Sequence, residues 1–149
     1  MKKIVIYFSA SGVTAKRAKE LAAVTGSDVQ AIVPAQPYSS ADLDWTDHNS
    51  RSYQENMDNT ARPALQQGTM PLAAYDRIYL GFPIWWGIAP KVINTFIESN
   101  DLDDKEIVVF ATSGGSGLMP AVRNLQKQYP GLHFKTGKLL NGSVKGDII

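Results

Sequence analysis

A short segment rich in hydroxyl groups, Ser9-Ala10-Ser11-Gly12-Val13-Thr14, directly follows the apolar run Lys3–Phe8. This order predicts a strand that leads through a glycine-containing turn into a helix. The first turn of a helix has unpaired backbone N–H groups and the positive end of the helix dipole, and both attract anions. The hydroxyls of Ser9, Ser11 and Thr14 can donate further hydrogen bonds. The segment is therefore a candidate phosphate-binding loop.

Taken alone, this loop is open to other interpretations. It matches neither the G-x-x-x-x-G-K-[ST] pattern of nucleoside triphosphate sites nor the G-x-G-x-x-G pattern of dinucleotide sites. An ordinary strand-to-helix connection with an N-cap residue has a similar composition. The other loops that lie near it must therefore decide its role.

A second unusual segment, Phe82–Pro90, places two adjacent tryptophans in a turn bounded by proline and glycine. A flat ligand stacked on Trp85 or Trp86 would gain about 0.5–1.5 kcal/mol beyond the burial of its area. Gly87 would let the backbone approach a planar ring closely. The alternative is that one tryptophan packs under the loop and the other covers a surface patch.

The third segment, Thr112–Leu118, contains three glycines and two serines and can offer backbone and hydroxyl groups to a polar ring edge. A flexible linker has the same composition, but it does not fit between a buried strand and the helix that begins near Pro120. The serine hydrolase pattern G-x-S-x-G nearly fits around Ser116 but requires glycine where Leu118 stands.

Apolar runs that alternate with helix-like periodic segments predict an α/β fold with a parallel sheet covered on both faces. The five predicted strands are Lys3–Phe8, Asp28–Val33, Asp76–Gly81, Glu106–Thr112 and Phe134–Leu140. The strand order expected for such a doubly wound sheet is 2-1-3-4-5, which leaves a crevice at the carboxyl ends of the first and third strands. The three unusual loops follow strands one, three and four, so all three should border that crevice.

The composition fits one domain that spans residues 1–149. A net charge of +1 gives no reason to expect a nucleic acid partner. The chain has no cysteine, so redox chemistry must come from a bound cofactor. No apolar run approaches the length of about 20 residues that a membrane span needs, and we expect a cytoplasmic protein.

Together the three loops resemble the flavodoxin family, specifically its short flavodoxin-like branch, over nearly the whole chain. The resemblance implies a three-layer sandwich, FMN as the cofactor, and a binding set of Ser9, Ala10, Ser11, Gly12, Val13, Thr14, Pro83, Ile84, Trp85, Trp86, Gly87, Ser113, Gly114, Gly115, Ser116 and Gly117. Ser9, Ser11, Gly12, Val13 and Thr14 would hold the phosphate, and the other two segments would flank the isoalloxazine ring. No side chain need act as a catalytic acid or base, since the flavin carries the chemistry.

The near-neutral charge departs from the electron-shuttle flavodoxins, which are acidic and dock on basic partners. We therefore expect an FMN-dependent oxidoreductase that takes electrons from NAD(P)H or a reductase and passes them to a small acceptor such as a quinone. The alternative is a non-catalytic protein, either a flavodoxin-type carrier or a regulatory binding module.

The segment between strands two and three, residues 34–75, is longer than one crossover helix needs. It begins on the side of the sheet where the crevice lies, and it contains Trp45, Arg51 and Tyr53. These residues are candidates for a lid that shapes a substrate pocket. A plain surface excursion with an exposed helix around residues 49–59 is the alternative.

Two expectations concern metals and assembly. Asp42, Asp44, Asp47 and His48 are close in sequence but lack the glycine and glutamate of a calcium loop, so we expect no metal site. Only nine residues, Asn141–Ile149, follow the last predicted strand, where flavodoxin-like chains have a further helix. An apolar sheet face left uncovered there would favour a homodimer, and the alternative is a shortened chain.

Overall fold

Five strands alternate with four helices in the computed structural model, which describes all 149 residues. The elements are β1 (Lys3–Tyr7), α1 (Val13–Thr25), β2 (Asp28–Ala31), α2 (Arg51–Met57), β3 (Arg77–Pro83), α3 (Lys91–Ser99), β4 (Glu106–Thr112), α4 (Leu118–Gln128) and β5 (His133–Leu139). All neighbouring strands are parallel and lie in the order β2-β1-β3-β4-β5. The predicted fold class and strand order are therefore confirmed.

The sheet separates two apolar cores, because successive side chains of a strand point to opposite faces. Ile6, Ile78 and Leu80 belong to the larger core, on the side of α3 and α4. Val5 and Tyr79 belong to the smaller one, on the side of α1. All five side chains are fully buried. Both faces of the central strands are thus covered, as their continuous apolar runs predict.

Two strand ends differ from the prediction by two residues, whereas the end of β1, the start of β3 and both ends of β5 differ by one. β2 ends at Ala31 rather than Val33. Pro34 instead bridges to Leu65 within the long segment between β2 and β3, residues 34–75, which is called the insertion below. β3 continues to Pro83 rather than ending at Gly81, because Pro83 still pairs with Thr112 of β4. The extension carries the start of the tryptophan segment into the sheet, which fixes its position relative to the loop after β4.

No helix follows β5, and the last ten residues lie against the smaller core. Leu140 and Ile148 are buried there, and the Asp147 carboxylate accepts a hydrogen bond from the Tyr79 hydroxyl at 2.9 Å. Val108 on this face is fully buried. The expectation of an uncovered face is therefore wrong at the centre of the sheet, since the tail fills the place of the missing helix. The homodimer therefore loses the support of an uncovered apolar face. It stays a prediction, which light scattering can test.

The helices are short, and none combines the length and the apolar character that crossing a membrane would require. The structure also brings together no group of three or more histidine, aspartate or glutamate side chains that could hold a metal ion.

Candidate functional site

The loops after β1, β3 and β4 meet at the carboxyl edge of the sheet and enclose a cleft of about 660 Å³. Its lining consists of Ala10, Ser11, Leu43, Trp45, Ser52, Pro83, Ile84, Trp85, Trp86, Gly114, Gly115 and Ser116. The structure thus brings residues from all three predicted segments to one place. The other predicted binding residues belong to the same three segments but lie outside the lining: Ser9, Gly12, Val13, Thr14, Gly87, Ser113 and Gly117.

The loop after β1 presents unpaired N–H groups at the start of α1. Gly12, the N-cap residue, has φ 94°, and no side chain caps the helix. The backbone N–H groups of Val13, Thr14 and Ala15 donate to no acceptor in the structure. Ser11 is exposed and lines the cleft. An anion at this position would therefore meet several free donors without any lysine or arginine.

Two of the three hydroxyls predicted to face a ligand also hold the loop together. The Ser9 hydroxyl accepts a hydrogen bond from the Gly12 N–H at 3.1 Å. Thr14 is buried, and its hydroxyl shares a hydrogen bond of 2.8 Å with the hydroxyl of Thr112 at the end of β4. These bonds fix the direction in which the first turn of α1 presents its N–H groups.

The tryptophan segment forms a tight turn. Trp85 and Ile88 exchange two backbone hydrogen bonds of 2.9 and 3.2 Å, and both residues between them have positive φ, 50° at Trp86 and 82° at Gly87. Positive φ at both central positions identifies a type I′ turn, which glycine enters freely and tryptophan does not. Trp86 at the tip is 37% exposed.

Trp85 belongs to an aromatic cluster as well as to the cleft. Its ring lies edge-on to Phe8 of the first loop and to Tyr38 of the insertion, at centroid distances of 5.7 and 5.5 Å. The two interpretations of the tryptophans are therefore not exclusive, because Trp85 packs under the loop and still lines the cleft. Its position is fixed from two sides, as a stacking platform requires.

The loop after β4 is shaped by Ser113, whose hydroxyl accepts hydrogen bonds from the N–H groups of Gly115 and Ser116 at 3.1 and 2.7 Å. Asn141, which follows β5, binds both backbone polar groups of Ser113 at 3.0 Å. The Gly114 N–H and the Ser116 hydroxyl have no partner in the structure and remain available to a ligand. Asn141 is therefore a supporting residue, and no sequence pattern marks it as one.

The insertion contributes Leu43, Trp45 and Ser52 to the cleft. Trp45 is 73% exposed and lies at the mouth. Ser52 is 2% exposed, and its hydroxyl has no hydrogen-bond partner. Leu43 and Ser52 were missed because an isolated leucine and serine in a long connection carry no recognisable pattern.

The other two lid candidates, Arg51 and Tyr53, do not line the cleft. The Arg51 guanidinium forms an ion pair with Glu55 at 2.8 Å and lies 3.8 Å from the centre of the Tyr38 ring. It does not line the cleft, and these contacts give it a structural role inside the insertion. Tyr53 does not line the cleft either, but its ring packs edge-on against Trp86 at 5.3 Å.

None of the lining side chains is charged or titrates near neutral pH. Tyr38, which packs against Trp85, is half-buried, and burial together with its hydrogen bond to Glu55 raises its pKa far above the usual value. Outside the mouth, exposed Asp44 flanks Trp45, and hydrogen bonds from Thr46 lower the pKa of that carboxyl. The cleft therefore offers hydrogen bonds and aromatic faces, and a proton or electron carrier would have to be a bound group.

The chain is similar to one protein family over nearly its whole length. A family model described as flavodoxin matches residues 2–149. No curated protein sequence matches the chain.

Solved structures resemble the chain along nearly its full length. A crystal structure from Bacteroides uniformis ATCC 8492, provisionally assigned as a flavoprotein, is 50% identical, with a TM-score of 0.93 over 96% of this chain and 92% of that one. A similarly assigned protein from Bacteroides eggerthii DSM 20697 is 49% identical, with a TM-score of 0.92 over 95% and 89%. A flavoprotein from Lactobacillus acidophilus NCFM in complex with FMN shares the fold at 22% identity, with a TM-score of 0.76 over 93% and 92%.

Proposed function

Because the chain belongs to the flavodoxin family, we propose that it binds FMN in the cleft and acts as an oxidoreductase. In this proposal, electrons come from NAD(P)H or a reductase and pass to a small acceptor such as a quinone. The single observation that carries the proposal is the cleft itself, in which a loop with free N–H donors meets two tryptophans and a glycine-rich loop.

The residues present fit FMN. The unpaired N–H groups of Val13, Thr14 and Ala15 suit a phosphate dianion at the start of α1. A Cβ added at Gly114 or Gly115 would meet no atom within 4 Å, so this loop leaves open space beside the cleft. The cavity of about 660 Å³ lies within the range of about 300–1,000 Å³ that is common for sites that hold small ligands and cofactors.

In the proposed activity, FMN supplies reversible one- or two-electron transfer, and the chain supplies its surroundings. The first loop would hold the phosphate, and Trp85 and Trp86 would offer aromatic faces to the ring. The Gly114 N–H and the Ser116 hydroxyl would donate to polar atoms at its edge. Leu43, Ile84 and Trp45 would keep water away from one side of the cleft.

Two features support an enzyme with a small substrate. The insertion adds Leu43 and Trp45 to the cleft, beyond what the three loops contribute. The chain has a net charge of only +1, which would provide little electrostatic steering towards a basic protein partner. A non-catalytic carrier or binding module is the second candidate, favoured by the exposed rings of Trp45 and Trp86 at the mouth, which a partner protein could cover.

The experiment that tests the proposal starts with the visible absorption spectrum of the purified protein and a titration with FMN. Steady-state quinone reduction by NADH or NADPH then follows with this protein alone. Stoichiometric FMN binding and turnover without any added reductase are the expected results. Turnover only with a reductase would favour the carrier, and a failure to bind FMN would end the proposal altogether.

The lining also predicts a preference among acceptors. No cationic side chain lines the cleft, while a bound phosphate and the exposed carboxylate of Asp44, next to Trp45, would add negative charge near it. A sulfonated naphthoquinone should therefore react with a kcat/KM about fivefold lower than a neutral naphthoquinone of similar potential, a difference of about 1 kcal/mol. Stopped-flow reoxidation of the dithionite-reduced protein measures this ratio without any donor. Equal rates for the two quinones would contradict an acceptor site in this cleft.

A further inference from the structure

The helix of the insertion, α2, lies directly against the tryptophan turn. Near its end, the Asn56 side-chain amide donates a hydrogen bond to the backbone carbonyl of Trp85 at 2.9 Å. One turn earlier in α2, the Tyr53 ring packs against Trp86. Both tryptophans of the cleft are therefore in contact with a segment that is far from them in the sequence.

The bond from Asn56 is made at the base of the turn. The Trp85 carbonyl accepts from Asn56 and from the Ile88 N–H, while the N–H groups of Trp86 and Gly87 at the tip have no acceptor. Trp86 also has φ 50°, a conformation that is uncommon for any residue other than glycine, and least so for asparagine, aspartate and histidine. Contacts from outside the turn must therefore help to keep this backbone in place.

Helix α2 can serve as a fixed support because it is itself held in several ways. With seven residues, it is too short to be stable by itself in water. The Ser50 hydroxyl accepts from the Tyr53 N–H at its start, and the Ser52 N–H donates to the Asp42 carbonyl. Near the end of α2, the Glu55 carboxylate accepts hydrogen bonds from Arg51 and Tyr38.

The asparagine is an unusual choice for a position that only fills space. Asn56 is 3% exposed, and its Oδ1 atom has no hydrogen-bond partner. Burying an unpaired amide oxygen costs stability, and an apolar side chain of the same size would avoid that cost. What Asn56 has and an apolar residue lacks is the donor that reaches the Trp85 carbonyl.

We infer that Asn56 is a positioning residue of the cofactor site, which holds the Trp85–Ile88 turn in the conformation that receives FMN. The inference rests on the proposed function. It makes the insertion a structural part of the cofactor site, in addition to any role as a lid over the substrate. A turn that is already in place before binding loses less conformational freedom on binding, so the hydrogen bond increases FMN affinity without touching the cofactor.

The test compares Asn56→Leu with Asn94→Leu. Asn94 is 1% exposed and donates two side-chain hydrogen bonds of 2.9 Å, but these lead to Gln128 and Tyr129, away from the cleft. Both variants should unfold at a lower temperature than the parent protein. In titrations well below those temperatures, Asn56→Leu should bind FMN about fivefold to tenfold more weakly, and Asn94→Leu should bind it with unchanged affinity.

The visible circular dichroism of the bound flavin provides a second readout, because it depends on the geometry of the groups around the ring. It should change in Asn56→Leu and not in Asn94→Leu. If leucine prevents folding, Asn56→Ala takes its place in the same comparison. Affinity within twofold of the parent in the Asn56 variant, or equal weakening in both variants, would overturn the inference. If the parent protein binds no FMN, the proposed function fails first, and this inference fails with it.

Discussion

Replacing Gly12 with alanine should weaken FMN binding by about thirtyfold, or about 2 kcal/mol. Gly12 has φ 94° immediately before α1, and a residue with a Cβ is strained in that conformation. To relieve the strain, the peptide must rotate, and the N–H groups of Val13 and Thr14 would then point away from the phosphate. An added Cβ would meet no atom within 4 Å, so the effect comes from backbone conformation and not from a clash.

Gly26 at the other end of the same helix is a matched control. Its φ is 64°, an added Cβ there also has open space, and it lies away from the cleft. Gly26→Ala should lower the free energy of unfolding by about 1 kcal/mol and leave FMN affinity unchanged. Fluorescence titration of both variants measures the difference. Similar FMN affinities in the two variants would show that the α1 terminus does not bind the phosphate.

The sheet could be predicted from the sequence because its signals are local and repeated. Buried parallel strands need continuous apolar runs, and each of the three inner strands has one, such as Ile4–Phe8 and Ile107–Ala111. The strand order is the one expected for a five-stranded doubly wound sheet, and it places the unusual loops after strands one, three and four at one crevice. The end of β3 was missed because pairing of Pro83 with Thr112 depends on another strand and leaves no local mark.

The cleft was predicted less completely than the sheet. Loops that follow strands of one parallel sheet must meet at the same edge, so the grouping of Ser11, Trp85 and Gly114 was foreseeable. The residues that hold those loops are single polar side chains from distant segments. Asn56 and Asn141 act through one or two hydrogen bonds each, and neither lies in a recognisable motif.

The insertion shows why residue type alone can mislead. Arg51 was a lid candidate because of its type and its place in a long segment, yet its guanidinium is engaged with Glu55 and the Tyr38 ring. Whether the Arg51 side chain contacts the cleft or its own segment depends on where Tyr38 lies after folding. Tyr38 in turn packs against Phe8 and Trp85, so the insertion is fixed by the same aromatic cluster that borders the cleft.

The largest effect on stability is expected at Gly81, in the centre of the sheet. It lies in β3 opposite Phe110 of β4, and an added Cβ would overlap the Phe110 ring. Both residues are buried, so the ring has no free space to move into. Gly81→Ala should therefore lower the free energy of unfolding by about 3 kcal/mol and the melting temperature by about 10 °C.

A double-mutant cycle shows whether the ring is the cause of that loss. In a Phe110→Leu background, the flat ring is gone, and the cost of Gly81→Ala should fall by at least about 1 kcal/mol, since contacting residues couple in this range. Gly131→Ala is the control, because an added Cβ there meets no atom within 4 Å. Denaturant unfolding of the four cycle members and the control measures all of these values. If Gly81→Ala lowered the free energy of unfolding equally in both backgrounds, the close approach of Phe110 would not be the reason that β3 has glycine at this position.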